Sequence, residues 1–314
     1  MPKTATDPAP AALSGRTMGT GWSVLIDAPI TAAARSTLHA ELQRAVNEVD
    51  HQMSTWRPDS ALMRFNAAPV DQWVALPHHL LTVLDAGLAV SARTGGAFEM
   101  NLGDAVRAWG FGPDAIDFAN ISVARAAPPI AATSVLELDR VAGLARKGAP
   151  LSLDLSGIAK GYGVDRLAET LIRHAIPHAL CAIDGEVRAI GTRADGTPWS
   201  VGVDAPDSLL RGGHSVIALE NASAATSGDY RHFLTIHGTR LSHTMNPATR
   251  APMVGVPASV TVLGQSCMMA DAMATALMVL GVDRGTRLAR SQGQSTLFLT
   301  RSGEATGTGL FSDR

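Results

Sequence analysis

The sequence predicts an α+β fold of mixed, largely antiparallel sheets with packed helices, arranged as two intertwined subdomains. Three observations carry this. Runs of alternating apolar and polar residues follow one another with only short gaps, at Ala179–Ile183, Glu186–Ile190, Trp199–Val203 and Ser215–Leu219. Strands that are neighbours in sequence join by hairpins, which makes their pairing antiparallel. Between such runs stand amphipathic segments of helical period, and the 314-residue chain is 46% hydrophobic, enough for a sizeable core.

Taken in order, residues 1–14 are rich in Pro, Ala and Thr and are expected to be disordered. Residues 15–302 form the folded domain. It opens with a strand at Gly21–Ile26. Thr31–Val49 is a helix with Leu38, Leu42, Ala45, Val46 and Val49 on one face. Residues 54–66 are polar and turn-like before a short helical piece. Pro77–Arg93 is a second amphipathic helix, stopped at Gly95-Gly96. Residues 113–134 lack a period and read as a surface connection. Strands are expected at Val135–Leu138 and Leu151–Leu155, a helix from Ala159 to about His174, and strands at Phe233–Ile236 and Val260–Leu263. Ala270–Leu280 is helical up to Gly281, Arg284–Ser291 is a last helix, and Ser295–Thr300 a last strand. Residues 303–314 are Gly/Thr/Ser-rich and are expected to be a mobile tail.

Composition narrows the function. A net charge of -2 gives no electrostatic footprint for nucleic acid, and 4% aromatics give no stacking platform. Two cysteines outside any CxxC pair make no disulfide framework. No run is long and apolar enough to span a membrane, and no export signal is visible. The expectation is a cytoplasmic protein, or a periplasmic one if such a signal has been removed.

Three stretches could carry chemistry. Asp154-Leu-Ser-Gly-Ile-Ala-Lys160-Gly161 ends an alternating run and enters a helix, leaving N–H groups for an anion beside Lys160. An ordinary strand-to-helix turn with a solvated Lys160 fits equally well. Asp271 and Thr275 stand one helical turn apart as the polar residues of an apolar run. They suit either two hard oxygen donors for Mg²⁺ or an N-cap and a back-bonded threonine. Thr226-Ser-Gly-Asp-Tyr230 lies close to His243, a candidate general base or simply a hydrogen-bonded histidine beside a turn. No GxSxG elbow, GxGxxG fingerprint or P-loop is present.

Taken together, the motifs resemble one family, the ApbE-type FAD:protein FMN transferases. Those that match are Thr17-Met18-Gly19-Thr20, Met53-Ser-Thr-Trp56 with Ser60 and Asn66, Thr94-Gly-Gly-Ala97-Phe98 with Trp109-Gly-Phe-Gly112, and Asp154 through Asp165. Thr226 through Tyr230, His243 with Asn246-Pro247, Ser259 through Val262, and Ala270-Asp271 through Thr275-Ala-Leu277 complete the series. They span roughly residues 16–300.

The resemblance implies a T-fold-like architecture and a Mg²⁺-dependent enzyme. Such an enzyme splits FAD, releases AMP and attaches FMN by a phosphoester to a Thr or Ser of a target flavoprotein. It implies that Asp271, Thr275 and the carbonyl of Gly157 hold the metal. Met18, Trp56, Ala97, Phe98, Glu99, Asp154, Lys160, Thr244 and Met245 would contact FAD, with His243 and Lys160 as catalytic groups. The chain departs from the family at Glu99 (usually Asp), Asp184 (usually Gly), Asn246 (usually Asp), Arg250 (usually Gly) and Trp56 (usually Tyr). Two other functions fit the same residues: an FAD pyrophosphatase that delivers FMN and AMP to water, and a non-catalytic FAD-binding protein.

Overall fold

The computed structural model describes residues 11–205, 213–229, 233–236 and 239–312. The chain opens with a hairpin, β1 (Ala11–Thr17) and β2 (Thr20–Ile26), in which Thr17 faces Thr20. The loop is therefore Met18-Gly19, and both residues are left-handed (φ 45° and 73°), the geometry whose twist matches a two-residue hairpin. Trp22 is buried beneath this hairpin and its indole N–H donates to Gln43 Oε1 at 2.9 Å. Gln43 belongs to α1 (Ala32–Met53), capped by Thr31, whose Oγ1 accepts from Ala34 N. The predicted face, Leu38, Leu42, Ala45, Val46 and Val49, is the buried one.

Next come α2 (Ala61–Ala67), β3 (Val74–Ala75), α3 (His78–Arg93) and α4 (Gly103–Ala108). The stretch expected to be a surface connection holds two helices, α5 (Phe118–Ala126) and α6 (Ala132–Val135). Only Ile121 and Ala124 of α5 are buried, too few for a periodic signal, and α5 starts at Asp117, whose carboxylate accepts from the amides of Ala119 and Asn120. Then follow β4 (Leu136–Asp139), β5 (Leu144–Lys147), α7 (Ala159–Arg173), β6 (Ala179–Ile183), β7 (Glu186–Ile190), β8 (Trp199–Asp204) and β9 (Gly213–Leu219). The chain continues through β10 (Ser223–Gly228), β11 (Phe233–Ile236), β12 (Thr239–Ser242), β13 (Met245–Asn246), β14 (Ala251–Pro252) and β15 (Ser259–Gly264). It ends with α8 (Cys267–Ser291), β16 (Thr296–Leu299) and β17 (Ala305–Thr308). The two terminal helices expected from the sequence are this one element, broken where Gly281 turns left-handed (φ 72°).

An eight-stranded sheet of order β1-β2-β6-β7-β10-β15-β16-β17 is the backbone of the molecule, and every described ladder is antiparallel. Smaller sheets pair β3-β5-β4, β8-β9, β11-β12 and β13-β14. α7 packs on β6 and β7, α8 packs on β10 and β15, and the two helices pack on each other. The α7–α8 seam thus lies across the middle of the large sheet.

Four expectations need correction. Ala11–Thr17 is strand β1, so the predicted disorder of residues 1–14 fails from Ala11 onward; residues 1–10 lie outside the described residues. The predicted mobile tail, 303–314, contains β17 at the edge of the large sheet and a 3₁₀ turn at Gly309–Phe311. The predicted turn at Thr226–Tyr230 is mostly strand β10, inside that sheet; Tyr230 is outside the described residues. Ser and Gly are weak strand formers, and the pairing of Thr226, Ser227 and Gly228 with Thr261, Val260 and Ser259 of β15 overrides that preference.

The fourth correction concerns Leu151–Leu155. It is extended, and Leu151, Leu153 and Leu155 are buried, as the alternation predicted, but among the described residues no strand pairs with it. Side-chain amides take the place of a neighbouring strand. Asn66 Oδ1 accepts from Leu153 N and Asn66 Nδ2 donates to Leu153 O, both at 2.9 Å, while Asn101 Oδ1 accepts from Ser152 N at 2.9 Å.

Candidate active site

A cleft of about 1000 Å³ opens over the α7–α8 seam. The residues that the resemblance assigns to metal, FAD or catalysis all line it: Met18, Trp56, Ala97, Phe98, Glu99, Asp154, Gly157, Lys160, His243, Thr244, Met245, Asp271 and Thr275. Each arrives by a different route. Met18 comes from the β1–β2 turn and Trp56, 64% exposed, from the loop after α1. Ala97–Glu99 follow α3, where Thr94 Oγ1 accepts from Phe98 N at 3.2 Å. His243 and Thr244 lie between β12 and β13, held by Ser242 Oγ, which accepts from Thr244 N.

The seam is close because glycines allow it. A Cβ on Gly161 would stand 2.4 Å from Cys267 O and 2.7 Å from Asp271 Cβ. A Cβ on Gly157 would stand 2.9 Å from Thr275 Oγ1. Backbone of the α7 start therefore presses directly on the Asp271 face of α8. Asp271 is not a cap of its own helix; Ser266 is, accepting from Met269 N. Instead Asp271 Oδ2 accepts from Gly161 N at 2.9 Å, so the carboxylate caps the first turn of α7 from the neighbouring helix. The anion that the sequence led us to expect at this helix start is thus, at Gly161, a side chain of the protein itself. Thr275 Oγ1 lies 3.2 Å from Ser227 Oγ of β10.

Around Lys160 the charges are unbalanced. Its Nζ lies 3.0 Å from Glu186 Oε1 and 3.3 Å from Asp184 Oδ2, and Asp271 is a third carboxylate nearby. Burial pulls the lysine down, but the three carboxylates outweigh it and its pKa is raised. Asp271 is pushed up to about 7 by burial first and by the Glu186 charge second. Glu186, only 1% exposed, is also raised, again chiefly by burial, and its Oε2 has no hydrogen-bond partner among the described residues. Burial likewise raises Asp154, against the pull of the Ser156 amide, which donates to its Oδ1 at 2.8 Å.

Three acidic side chains face one ammonium here, an imbalance suited to a further cation. Among the described residues no group of three or more His, Cys, Asp and Glu side chains is arranged to hold a metal alone. The donors on offer are mixed hard oxygens: the Asp271 carboxylate, the Thr275 hydroxyl and the backbone at Gly157. That chemistry fits Mg²⁺ whose remaining positions are filled by phosphate oxygens or water.

Glu186 is the cleft residue that sequence reasoning passed over. Glu186 opens a strand and read as an ordinary alternating position; an acid in a strand whose next residue, Val187, is also buried was the available signal. Two of the departures from the family share one backbone feature. Asp184 (φ 56°) and Arg250 (φ 52°) are both left-handed, the conformation that favours the glycine the family resemblance leads one to expect there.

Known proteins share this fold. The ApbE family profile matches residues 18–299. The FAD:protein FMN transferase of Vibrio cholerae is 36% identical over 291 residues, covering 92% of this chain and 87% of that protein. The protein of the same name from Haemophilus influenzae is 33% identical, over 92% and 86%. Among solved structures, the flavin transferase ApbE from Vibrio cholerae superposes with a TM-score of 0.84 at 34% identity, covering 96% of this chain and 98% of that one. The apo Pseudomonas stutzeri flavinyl transferase ApbE superposes with a TM-score of 0.82 at 32% identity, over 97% of each chain. The shared fold, the identity to these relatives and a profile covering nearly the whole described chain lead to one conclusion: the chain belongs to the ApbE family.

Proposed function

We infer that the protein is an FAD:protein FMN transferase. It cleaves the FAD pyrophosphate, releases AMP and leaves FMN on a Thr or Ser hydroxyl of a target flavoprotein through a phosphoester. The observation that carries this reading is the meeting of Lys160, Asp271, Thr275 and His243 in one cleft of about 1000 Å³, room enough for a dinucleotide.

Phosphoryl transfer needs charge neutralisation and in-line placement more than covalent help from the protein. Lys160, held in the cleft by Glu186 and Asp184, supplies a fixed positive charge to the pyrophosphate. Asp271 and Thr275, with the Gly157 carbonyl, would hold Mg²⁺, which when bound neutralises phosphate charge as a Lewis acid. His243 takes the proton of the acceptor hydroxyl as it attacks phosphorus, a contribution worth about 10²–10⁴-fold. Trp56, exposed at the rim, offers a ring face to the flavin or adenine. Met18, Ala97, Phe98, Glu99, Asp154, Thr244 and Met245 form the remaining contacts to FAD. The metal, the individual roles and the target flavoprotein are part of this proposal; the names of the relatives support FAD and a protein acceptor.

Incubation with FAD, Mg²⁺ and a flavoprotein bearing an acceptor Thr tests the reading. Covalent FMN on the acceptor together with AMP supports it. AMP and free FMN with an unmodified acceptor mean a pyrophosphatase, and bound FAD with no AMP means a binding protein.

A further inference from the structure

A second, smaller pocket of about 240 Å³ adjoins the cleft. Glu99 lines both cavities, so they share a wall. The other side is built from Ile130, Ala131, Pro247, Ala248 and Arg250. Arg250 is the unusual member. It is 8% exposed, and its Nε has no hydrogen-bond partner among the described residues. Its backbone is left-handed at φ 52°, a conformation that side chains other than glycine rarely adopt. Two bonds pin it there: Arg250 N donates to Asn246 O at 2.8 Å, and Trp109 Nε1 donates to Arg250 O at 3.2 Å. A guanidinium removed from water with an open donor is costly unless an anion completes it. Glu99 does not serve, because its carboxylate is turned to the amides of Asn101, at 2.7 Å, and Ala132, at 3.1 Å.

We propose that this pocket is a carboxylate subsite: Arg250 receives an aspartate or glutamate side chain of the acceptor protein while the acceptor hydroxyl sits in the adjoining cleft. The fork of a guanidinium matches a carboxylate. The apolar wall of Ile130, Ala131, Pro247 and Ala248 suits a methylene stem. The Glu99 charge in the shared wall works against a doubly charged phosphate and leaves a singly charged carboxylate as the better guest. The identity of the guest as part of an acceptor rests on the transferase reading; the affinity for a carboxylate does not.

The test follows the Arg250 Nε–H resonance in ¹⁵N-arginine-labelled full-length protein, assigned with Arg250→Gln. Titration with a capped aspartate shifts that resonance saturably, whereas a capped asparagine leaves it in place. A resonance that ignores aspartate overturns the subsite, and one that responds more tightly to inorganic phosphate than to aspartate overturns its assignment to carboxylate. In the transfer assay Arg250→Gln raises the KM for the protein acceptor about tenfold, the loss expected for one charge-assisted contact, with kcat and the KM for FAD unchanged. Arg250→Lys restores part of it, and matching melting temperatures exclude misfolding. An unchanged acceptor KM overturns the acceptor role. If aspartate binds but no acceptor is ever modified, the transferase reading fails and the carboxylate subsite stands.

Discussion

The amide of Gly161 donates to Asp271 Oδ2 at 2.9 Å across 110 residues of sequence, and this bond joins the start of α7 to the inner face of α8. One carboxylate thus caps a helix and faces the cleft at the same time. Asp271→Asn keeps an oxygen for the Gly161 amide and removes the charge. We expect the variant to fold with a melting temperature close to wild type near pH 4 and no lower than wild type at pH 7, and to lose at least about 100-fold in kcat/KM, equivalent to about 2.7 kcal/mol of lost charge stabilisation. Asp271→Ala loses the cap as well and is further destabilised by about 0.5–2 kcal/mol. Thermal melts alongside AMP-release kinetics check both, and full activity in Asp271→Asn sinks the metal-ligand role.

Gly161→Ala tests the seam itself. The new methyl meets the Cys267 carbonyl at 2.4 Å, a backbone atom that cannot rotate away. The helices must part, at a cost of about 1–3 kcal/mol. Urea unfolding reads the loss, and FAD affinity falls with it because Lys160 and Asp271 sit on the two sides of the opened seam.

Stability in EDTA depends on pH with a definite sign. Asp271 titrates at about 7 in the folded chain against an ordinary value of 3.8, and Glu186 is raised in the same direction. The folded state therefore binds more protons than the unfolded chain between about pH 4 and pH 7. Stability from these groups is full below that window and is lost as pH rises through it. The melting temperature of wild type relative to Asp271→Asn is expected to fall from pH 4 to pH 7, and saturating Mg²⁺ at pH 7 is expected to recover it. A difference that stays flat or grows across the window contradicts the buried carboxylate cluster.

Asn66 stands in for a missing strand by pairing with both backbone groups of Leu153, which is itself fully buried. Asn66→Ala leaves a buried N–H and C=O without partners, at about 1–3 kcal/mol each. Asn66→Asp keeps the acceptor and loses the donor, and is expected to fall between the two. Chemical denaturation measures the series, and a harmless Asn66→Ala excludes the amide clamp.

Much of this was legible in the sequence, and the reasons are local. The buried stripe of α1, the stop at Gly281 and the alternation of β6 through β9 are set by side-chain period and punctuation, which a sequence displays directly. The cleft residues were legible because eight short motifs occurred in order. What escaped depended on partners far away. Nothing near Leu151–Leu155 says that Asn66 and Asn101 satisfy its backbone. Thr226–Gly228 reads as part of a turn until β15 pairs with it. Glu186 looks like any strand residue until Lys160 reaches it from α7 at 3.0 Å. The edge strands β1 and β17 carry small, polar residues typical of mobile ends, and only the sheet beside them fixes their conformation.

Intact-mass spectrometry of an acceptor flavoprotein tests the central claim most directly. After incubation with FAD, Mg²⁺ and the wild-type chain, the acceptor is predicted to gain one FMN phosphoester for each AMP released, and to gain none with Asp271→Asn. An acceptor that stays unmodified while AMP and free FMN accumulate, or one modified equally by both proteins, would contradict the account.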